Sequence, residues 1–548
     1  MINNITIVGG GSAGWMTATT LLNQFPDKKI TLVESPNTPN IGVGESTVAG
    51  GQSGFAGVVD WLKLVDIDDH EFMPQTDAIY KLGIAFEDWY RKDSGLFHYP
   101  FGQPRVLPNM GTNSWHIKKI FYPETPVSDY AEWFYPATTL INQNKSLFTD
   151  NFSSSFGRID LEKDELNNEV QLGSEFSYQF DATKFGNWLR DNYCKVRYSD
   201  QFDHIQAEVV GAPQNEDGIK HLILDNGQKL EADLFIDCTG FKSLLLTDTF
   251  NVPFISIENY IPNNYAWSTK IPYKDPETQI VNYTNCTAIE NGWMWEIPLW
   301  SRMGSGYVFS DKFISTETAL REFKQGLRKK GYEGVEDLEY HLIPMRSGIQ
   351  SKLWVKNTCA IGLAAGFIEP LQSNGLQSIY QFIFNLTRTL SRGHISEWDR
   401  KEFTTKCHDD FYGFASTVVL SYALSHRDDT EYWREIQNRE WSTDLFSYKS
   451  EGISKYFHQL YIDKNFNLEF PPHLGNIHCM AAGMNWNPID IHSLKMKYDK
   501  MYFHSSQSNL TEITQQIEKR KKRWNNQIKD FPSPYQYLKD NIHITSEI

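Results

Sequence analysis

A glycine-rich turn, a carboxylate beyond it, a lysine among apolar neighbours and two tryptophans one residue apart are the groups of this chain suited to chemistry. The turn reads Val8-Gly9-Gly10-Gly11-Ser12-Ala13-Gly14-Trp15. Gly9 permits a tight turn, Gly11 lets backbone approach a pyrophosphate, and Gly14 lets helix and strand pack closely. A pyrophosphate then rests on the helix start at Ser12 and Ala13, where free N–H groups and the helix dipole favour negative charge. Glu34 follows about 20 residues later, where an acid accepts from a ribose hydroxyl. Its charge repels a 2′-phosphate, which disfavours NADP. The turn alone does not separate NAD from FAD.

Lys81 stands among Tyr80, Leu82, Ile84 and Phe86, so it belongs to a mostly buried strand. An enclosed ammonium loses its proton more easily, or donates a directed hydrogen bond. Trp293 and Trp295 share one face of a strand, which by itself suits two large core residues.

These groups need elements to position them. Ile5-Thr6-Ile7-Val8 is a β-branched run typical of a buried strand, residues 13–25 form a helix ended by Pro26-Asp27, and residues 30–34 are a second strand. Together they make a βαβ unit. Residues 230–240 read as a buried strand ending in a tight turn. Residues 358–366, with Gly362, read as a strand-to-helix junction; both look like further pieces of the nucleotide domain. Beyond Gln372 helical patterns dominate, as in 397–424 and 429–437. The basic cluster Lys519-Arg520-Lys521-Lys522-Arg523 reads as a solvated helix face.

A chain of 548 residues is long enough for a large core in two lobes. Its 16 Trp, 27 Tyr and 34 Phe mostly serve core packing, and an aromatic substrate pocket would use few of them. The net charge of −16 argues against nucleic acid or an anionic membrane as partner. Cys194, Cys238, Cys286, Cys359, Cys407 and Cys479 form no C-x-x-C pair, so neither a metal site nor structural disulfides are expected. Reduced thiols fit a cytoplasmic location. No run approaches the roughly 18 apolar residues of a membrane span, and the N-terminus lacks the basic start of a signal peptide.

Several motifs then occur in order: the turn at 9–15; Ile41-Gly42-Val43-Gly44-Glu45-Ser46-Thr47; Tyr80-Lys81-Leu82-Gly83-Ile84; Gly292-Trp293-Met294-Trp295-Glu296-Ile297-Pro298; Ser305-Gly306-Tyr307-Val308-Phe309-Ser310; residues 367–375; and Arg427-Asp428-Asp429-Thr430. To about Trp433 the chain resembles the flavin-dependent tryptophan halogenases, whose signature includes W-x-W-x-I-P. The resemblance implies an α/β (α+β) FAD-binding fold of the GR2/p-hydroxybenzoate-hydroxylase type, a three-layer ββα box, with a mostly helical second lobe. The expected division is 1–395 for the FAD box with inserted substrate-lining segments, and 396–548 for the helical lobe. It implies FAD, supplied as FADH2 by a separate flavin reductase, with O2 and a halide ion. Hypohalous acid made at the flavin travels through a tunnel to the lysine beside a small aromatic substrate. Oligomeric state, a homo-oligomer included, is left open.

Residue by residue, the resemblance places Gly44 and Glu45 on a flexible strap beside the flavin. Trp293 and Trp295 separate substrate from flavin, and Lys81 is the essential lysine. Ser373 is kept, Gln372 replaces the family's glutamate, and Asn374 replaces a threonine before Gly375. Backbone N–H groups around Asn374 and Gly375 contact halide. With Gln372 unable to accept a proton, that task passes to water or to Glu369. Tyr99 and Phe101 supply two aromatic walls. The third wall falls in 470–476, where Pro471 and Pro472 replace a tryptophan, and the amino-acid clamp has only Tyr456-Phe457 as its nearest match. The expected substrate is therefore an electron-rich indole or phenol other than free tryptophan, with bromide or iodide ahead of chloride. The rival readings are an aromatic monooxygenase and an inactive flavin-binding protein.

Overall fold

Strand Asn4–Val8, helix Ser12–Gln24 and strand Lys29–Glu34 follow one another as the hydrophobic pattern requires. In this computed structural model the described residues are 2–37, 45–47, 57–107, 115, 118–119, 122–149, 160–161, 170–171, 175–439, 475–485 and 503–544. A six-stranded sheet has the order Phe202–Gln206, Lys29–Glu34, Asn4–Val8, Leu234–Asp237, Thr358–Ala360, Trp354–Val355. All its pairings are parallel except the last. Helices Ser12–Gln24 and Asn374–Leu390 pack against each other. A small antiparallel sheet of Val209–Gly211, Leu222–Leu224 and Lys229–Leu230 shares apolar clusters with Val8, Val33 and Phe235 of the large sheet.

The expected junction at 358–366 is a strand followed by a short 3-10 turn, Gly362–Ala364, and the long helix starts only at Asn374. The intervening backbone turns through two left-handed residues, which delays the helix.

A seven-stranded sheet carries the remaining groups. Its order is Tyr340–Pro344, Tyr265–Pro272, Arg302–Phe309, Gly292–Pro298, Tyr283–Ile289, Gly83–Glu87, Leu96–Pro100. The central strand Gly292–Pro298 is buried throughout, so its tryptophans have no solvent face to occupy. The Trp295 ring lies over Gly306 on the neighbouring strand; a Cβ there would come within 2.1 Å of the ring. After residue 396 the described elements are all helices: Glu397–Ala423, Glu431–Asn438, Gly475–Gly483, Phe503–Gln527 and Pro534–Asn541. They share one apolar core with the large sheet, from Ile5 to Ile542.

The basic cluster departs from a purely solvated face. Arg520 is buried and donates to the carbonyls of Arg105 and Trp133, while Lys521 pairs with Asp129 and Glu132. Neighbouring carbonyls and carboxylates satisfy these charges, which a single-sequence pattern does not display.

Lys81 ends the short strand Ile79–Lys81, which pairs with Ser177–Phe180. A buried clasp locks that pair: Tyr80 and Tyr178 donate from their hydroxyls to the two oxygens of Asp69, at 2.8 and 2.6 Å. Burial lifts the Asp69 carboxyl to about 6. A folded pKa above the unfolded one means that the folded chain binds the extra proton between about pH 4 and 6. This contribution is complete below pH 4 and lost as pH rises through 6, about 3 kcal/mol at most. Asp69→Asn removes the titration. Melting temperatures across pH 4–7 should then lose that part of their slope.

Candidate active site

Two helix starts face one cavity of about 520 Å³. From one side come Gly9, Gly11, Ser12, Ala13 and Glu34; from the other come Ser373, Gly375, Leu376 and Ile379, at the start of helix Asn374–Leu390. Free N–H groups of both helices therefore offer positive ends to one space. Gly9 has φ +117°, and a Cβ on it would meet the Cys238 carbonyl oxygen at 2.2 Å. Gly14 is a contact residue rather than a lining one, since its Cβ would sit 1.9 Å from the Gly9 carbonyl oxygen. Gly362 presses on Ala13 in the same way, at 2.5 Å. Gly11 alone of these faces open space. The cradle thus leaves room at the position where the turn should meet a pyrophosphate, and the residues fit FAD.

Trp293, Trp295, Gln372 and Cys286 line the same cavity. Cys286 stands directly across the sheet from Trp295. The two indole rings are 6.1 Å apart; the Trp293 N–H is directed at the Glu369 carboxylate, which it helps to hold ionised.

Lys81 is fully buried. Its Nζ donates to the Thr47 carbonyl at 2.9 Å and to Ser373 Oγ at 3.1 Å. Ser373 itself lines the cavity, so one hydroxyl separates the cavity from the ammonium. The Phe101 ring centre lies 5.2 Å from Nζ, and Tyr99 is buried two residues before it. Burial pulls the Lys81 pKa down to about 7, opposed by the thiol of Cys286. Neither the Thr47 carbonyl nor Cys286 was singled out from sequence; the first acts through its backbone, which no side-chain pattern reports.

Gln372 and Ser373 both have positive φ, +61° and +60°. Non-glycine residues there cost of order 1–3 kcal/mol each, and neighbouring bonds must hold them. Ser373 N–H donates to the Pro370 carbonyl at 3.0 Å and Asn374 Nδ2 to the Leu371 carbonyl at 2.6 Å. The Gln372 amide donates to the Thr417 carbonyl and to Ser421 Oγ, both at 3.0 Å. It is thus bonded to helix Glu397–Ala423.

Glu369 is fully buried and does not line the cavity. It accepts from Asn263 Nδ2 at 3.0 Å and from the Tyr422 hydroxyl at 2.8 Å. Burial raises its carboxyl to about 7 against these bonds. Of Glu45 the backbone is described, in a strand pairing with Phe180. Gly44, Tyr456-Phe457 and residues 470–474 lie outside the described residues. Among the described residues no helix is long and apolar enough to cross a membrane.

A parallel sheet with a glycine turn at its centre strand, and a second sheet closing the cavity, define an FAD-binding α/β protein. A family model described as tryptophan halogenase matches residues 4–467. The tryptophan 6-halogenase SttH of Streptomyces toxytricini is 31% identical over 477 residues, covering 84% of this chain and 87% of that protein. In structure, the chain is similar to the one titled VirX1 apo structure, with TM-score 0.85, 30% identity and 100% of both chains covered. The crystal structure of SttH gives TM-score 0.79 at 27% identity, covering 98% of this chain and 99% of that one. The chain belongs to the tryptophan halogenase family of flavin-dependent enzymes.

Proposed function

We propose that this chain halogenates an electron-rich indole or phenol other than free tryptophan, using FADH2 from a separate reductase, O2 and a halide, with bromide or iodide ahead of chloride. The observation that carries the reading is Lys81, buried and bonded to Ser373, which lines the cavity at the glycine turn, with the Phe101 ring centre 5.2 Å from Nζ. Residues 1–395 form the FAD box, of the GR2 type, and residues 396–548 complete the substrate side.

Gly11, Ser12 and Ala13 hold the pyrophosphate by backbone N–H groups, and Glu34 holds the ribose. Reduced FAD bound there supplies, with O2, the two-electron oxidation of halide to hypohalous acid. The N–H groups of Asn374 and Gly375 hold the halide at the helix start. Trp293 and Trp295 fill the space that would otherwise let the aromatic reach the flavin. Lys81 then holds the hypohalous acid by an N–H hydrogen bond and presents its halogen to the ring between Tyr99 and Phe101.

The ring must afterwards lose a proton. The Gln372 amide cannot accept it at neutral pH. The proton then passes to water or to Glu369, whose carboxyl burial raises to about 7. Without a carboxylate at position 372 the oxidant is less activated, which favours easily oxidised halides and electron-rich rings.

Measured kcat/KM for chloride, bromide and iodide on a panel of indoles and phenols, tryptophan included, tests this. Bromide or iodide should lead, and tryptophan should be a poor substrate. A clear chloride preference overturns the halide assignment; a product mass gaining oxygen instead of halogen makes the enzyme a monooxygenase. Gln372→Glu should raise rates on less activated rings. It should also lower stability by about 1–3 kcal/mol, because a carboxylate cannot donate to the Thr417 carbonyl.

A further inference from the structure

We propose that His204 and Gly10 are positioning residues that set the Glu34 carboxylate for the nucleotide ribose; this rests on the FAD reading above. Strand Phe202–Gln206 runs parallel to Lys29–Glu34 with His204 opposite Leu32 and Gln206 opposite Glu34. His204 and Glu34 are therefore diagonal neighbours on one face of the sheet, within reach of long side chains.

His204 Nε2 lies 3.0 Å from Glu34 Oε2, so an imidazole with its proton on Nε2 donates to that oxygen. The imidazole packs in turn against the Trp15 ring in a T-shaped contact, 5.2 Å between ring centres. Trp15 is buried and closes the glycine turn. Arg190 Nη1 approaches the same Oε2 at 3.9 Å, while its fork is bonded to both oxygens of Asp191. One oxygen of Glu34 is thereby occupied from the protein side.

The other oxygen rests against Gly10. A Cβ at that position would come within 2.2 Å of Oε1. Gly10 is the variable position of the G-x-G-x-x-G pattern, where the motif itself demands no glycine. Here a side chain would meet Oε1, Cδ and Cγ of Glu34 and so push the carboxylate out of its place. Gly10 and Glu34 both line the cavity. The carboxylate is thus held in a slot between His204 and Gly10, which leaves Oε1, the oxygen not bonded to His204, to accept from a ribose hydroxyl. Prior fixing of the acceptor lowers the ordering cost of binding.

The experiment is FAD titration of the full-length apoprotein, with melting temperature of the same samples. His204→Leu should weaken FAD binding roughly ten-fold, and His204→Gln, which keeps a donor, should restore most of it. Gly10→Ala should weaken it at least as much by displacing Oε1. In a Glu34→Ala background both substitutions should lose most of their effect. Unchanged FAD affinity in His204→Leu overturns the proposal, as does an equal loss with and without Glu34. If His204→Leu melts too early to titrate, Gly10→Ala carries the same cycle from the other side of the slot. Unchanged affinity in Glu34→Ala alone would instead sink the assignment of Glu34 to the ribose.

Discussion

Lys81→Ala lowers halogenation by about 1,000-fold or more, within the range of a lost hydrogen-bonding or proton-handling group, while FAD binds as before. The separation follows from position: Nζ sits behind Ser373, outside the cavity lining, so no contact with the nucleotide is removed. FAD titration and product analysis on one preparation check both halves. Equal turnover in the variant would mean that the oxidant reaches the ring without the lysine.

The same burial makes a second, opposite effect. Burial puts the folded Lys81 pKa near 7, against about 10.4 when unfolded. Between these values the folded chain holds fewer protons than the unfolded one. The stability penalty is full below pH 7 and shrinks as pH rises toward 10.4. Lys81→Met fills similar volume without the charge, and should be more stable at pH 7 by up to about 4 kcal/mol. A rise in melting temperature with complete loss of activity is the expected pair. With the ammonium as the working donor, the wild-type rate should fall as pH rises above 7.

The βαβ unit was legible to within a residue, since β-branched runs, a glycine turn and Pro26 each report a local constraint. Trp293 and Trp295 were legible as neighbours on one face; their place in the cavity depended on strands from four separate stretches of chain. Gln372 shows the limit. Its residue type says that it cannot take a proton, but its bonds to Thr417 and Ser421 come from a left-handed turn meeting a helix about 45 residues later. Nothing local to Pro370-Leu371-Gln372-Ser373 signals that turn, because neither left-handed residue is a glycine. His204 was missed for a similar reason. Its partner Glu34 is 170 residues away, and only strand register joins them.

Gly11→Val abolishes tight FAD binding, by at least about 100-fold, without lowering the melting temperature of the apoprotein. The backbone at Gly11 is extended, φ −80° and ψ −176°, which valine adopts readily. No atom lies within 4 Å of a Cβ built there, so the fold tolerates the branch. What the branch fills is the approach to the helix N–H groups, so a pyrophosphate must stand off or displace it. Gly14→Ala makes the contrast. Its methyl would lie 1.9 Å from the Gly9 carbonyl oxygen, and helix Ser12–Gln24 would have to part from the strand before it. That variant should lose about 3 kcal/mol of stability before any ligand is added. Apoprotein melting curves and FAD titrations of the two variants separate a glycine kept for the ligand from one kept for packing. If Gly11→Val bound FAD with unchanged affinity, the pyrophosphate would not sit on this turn.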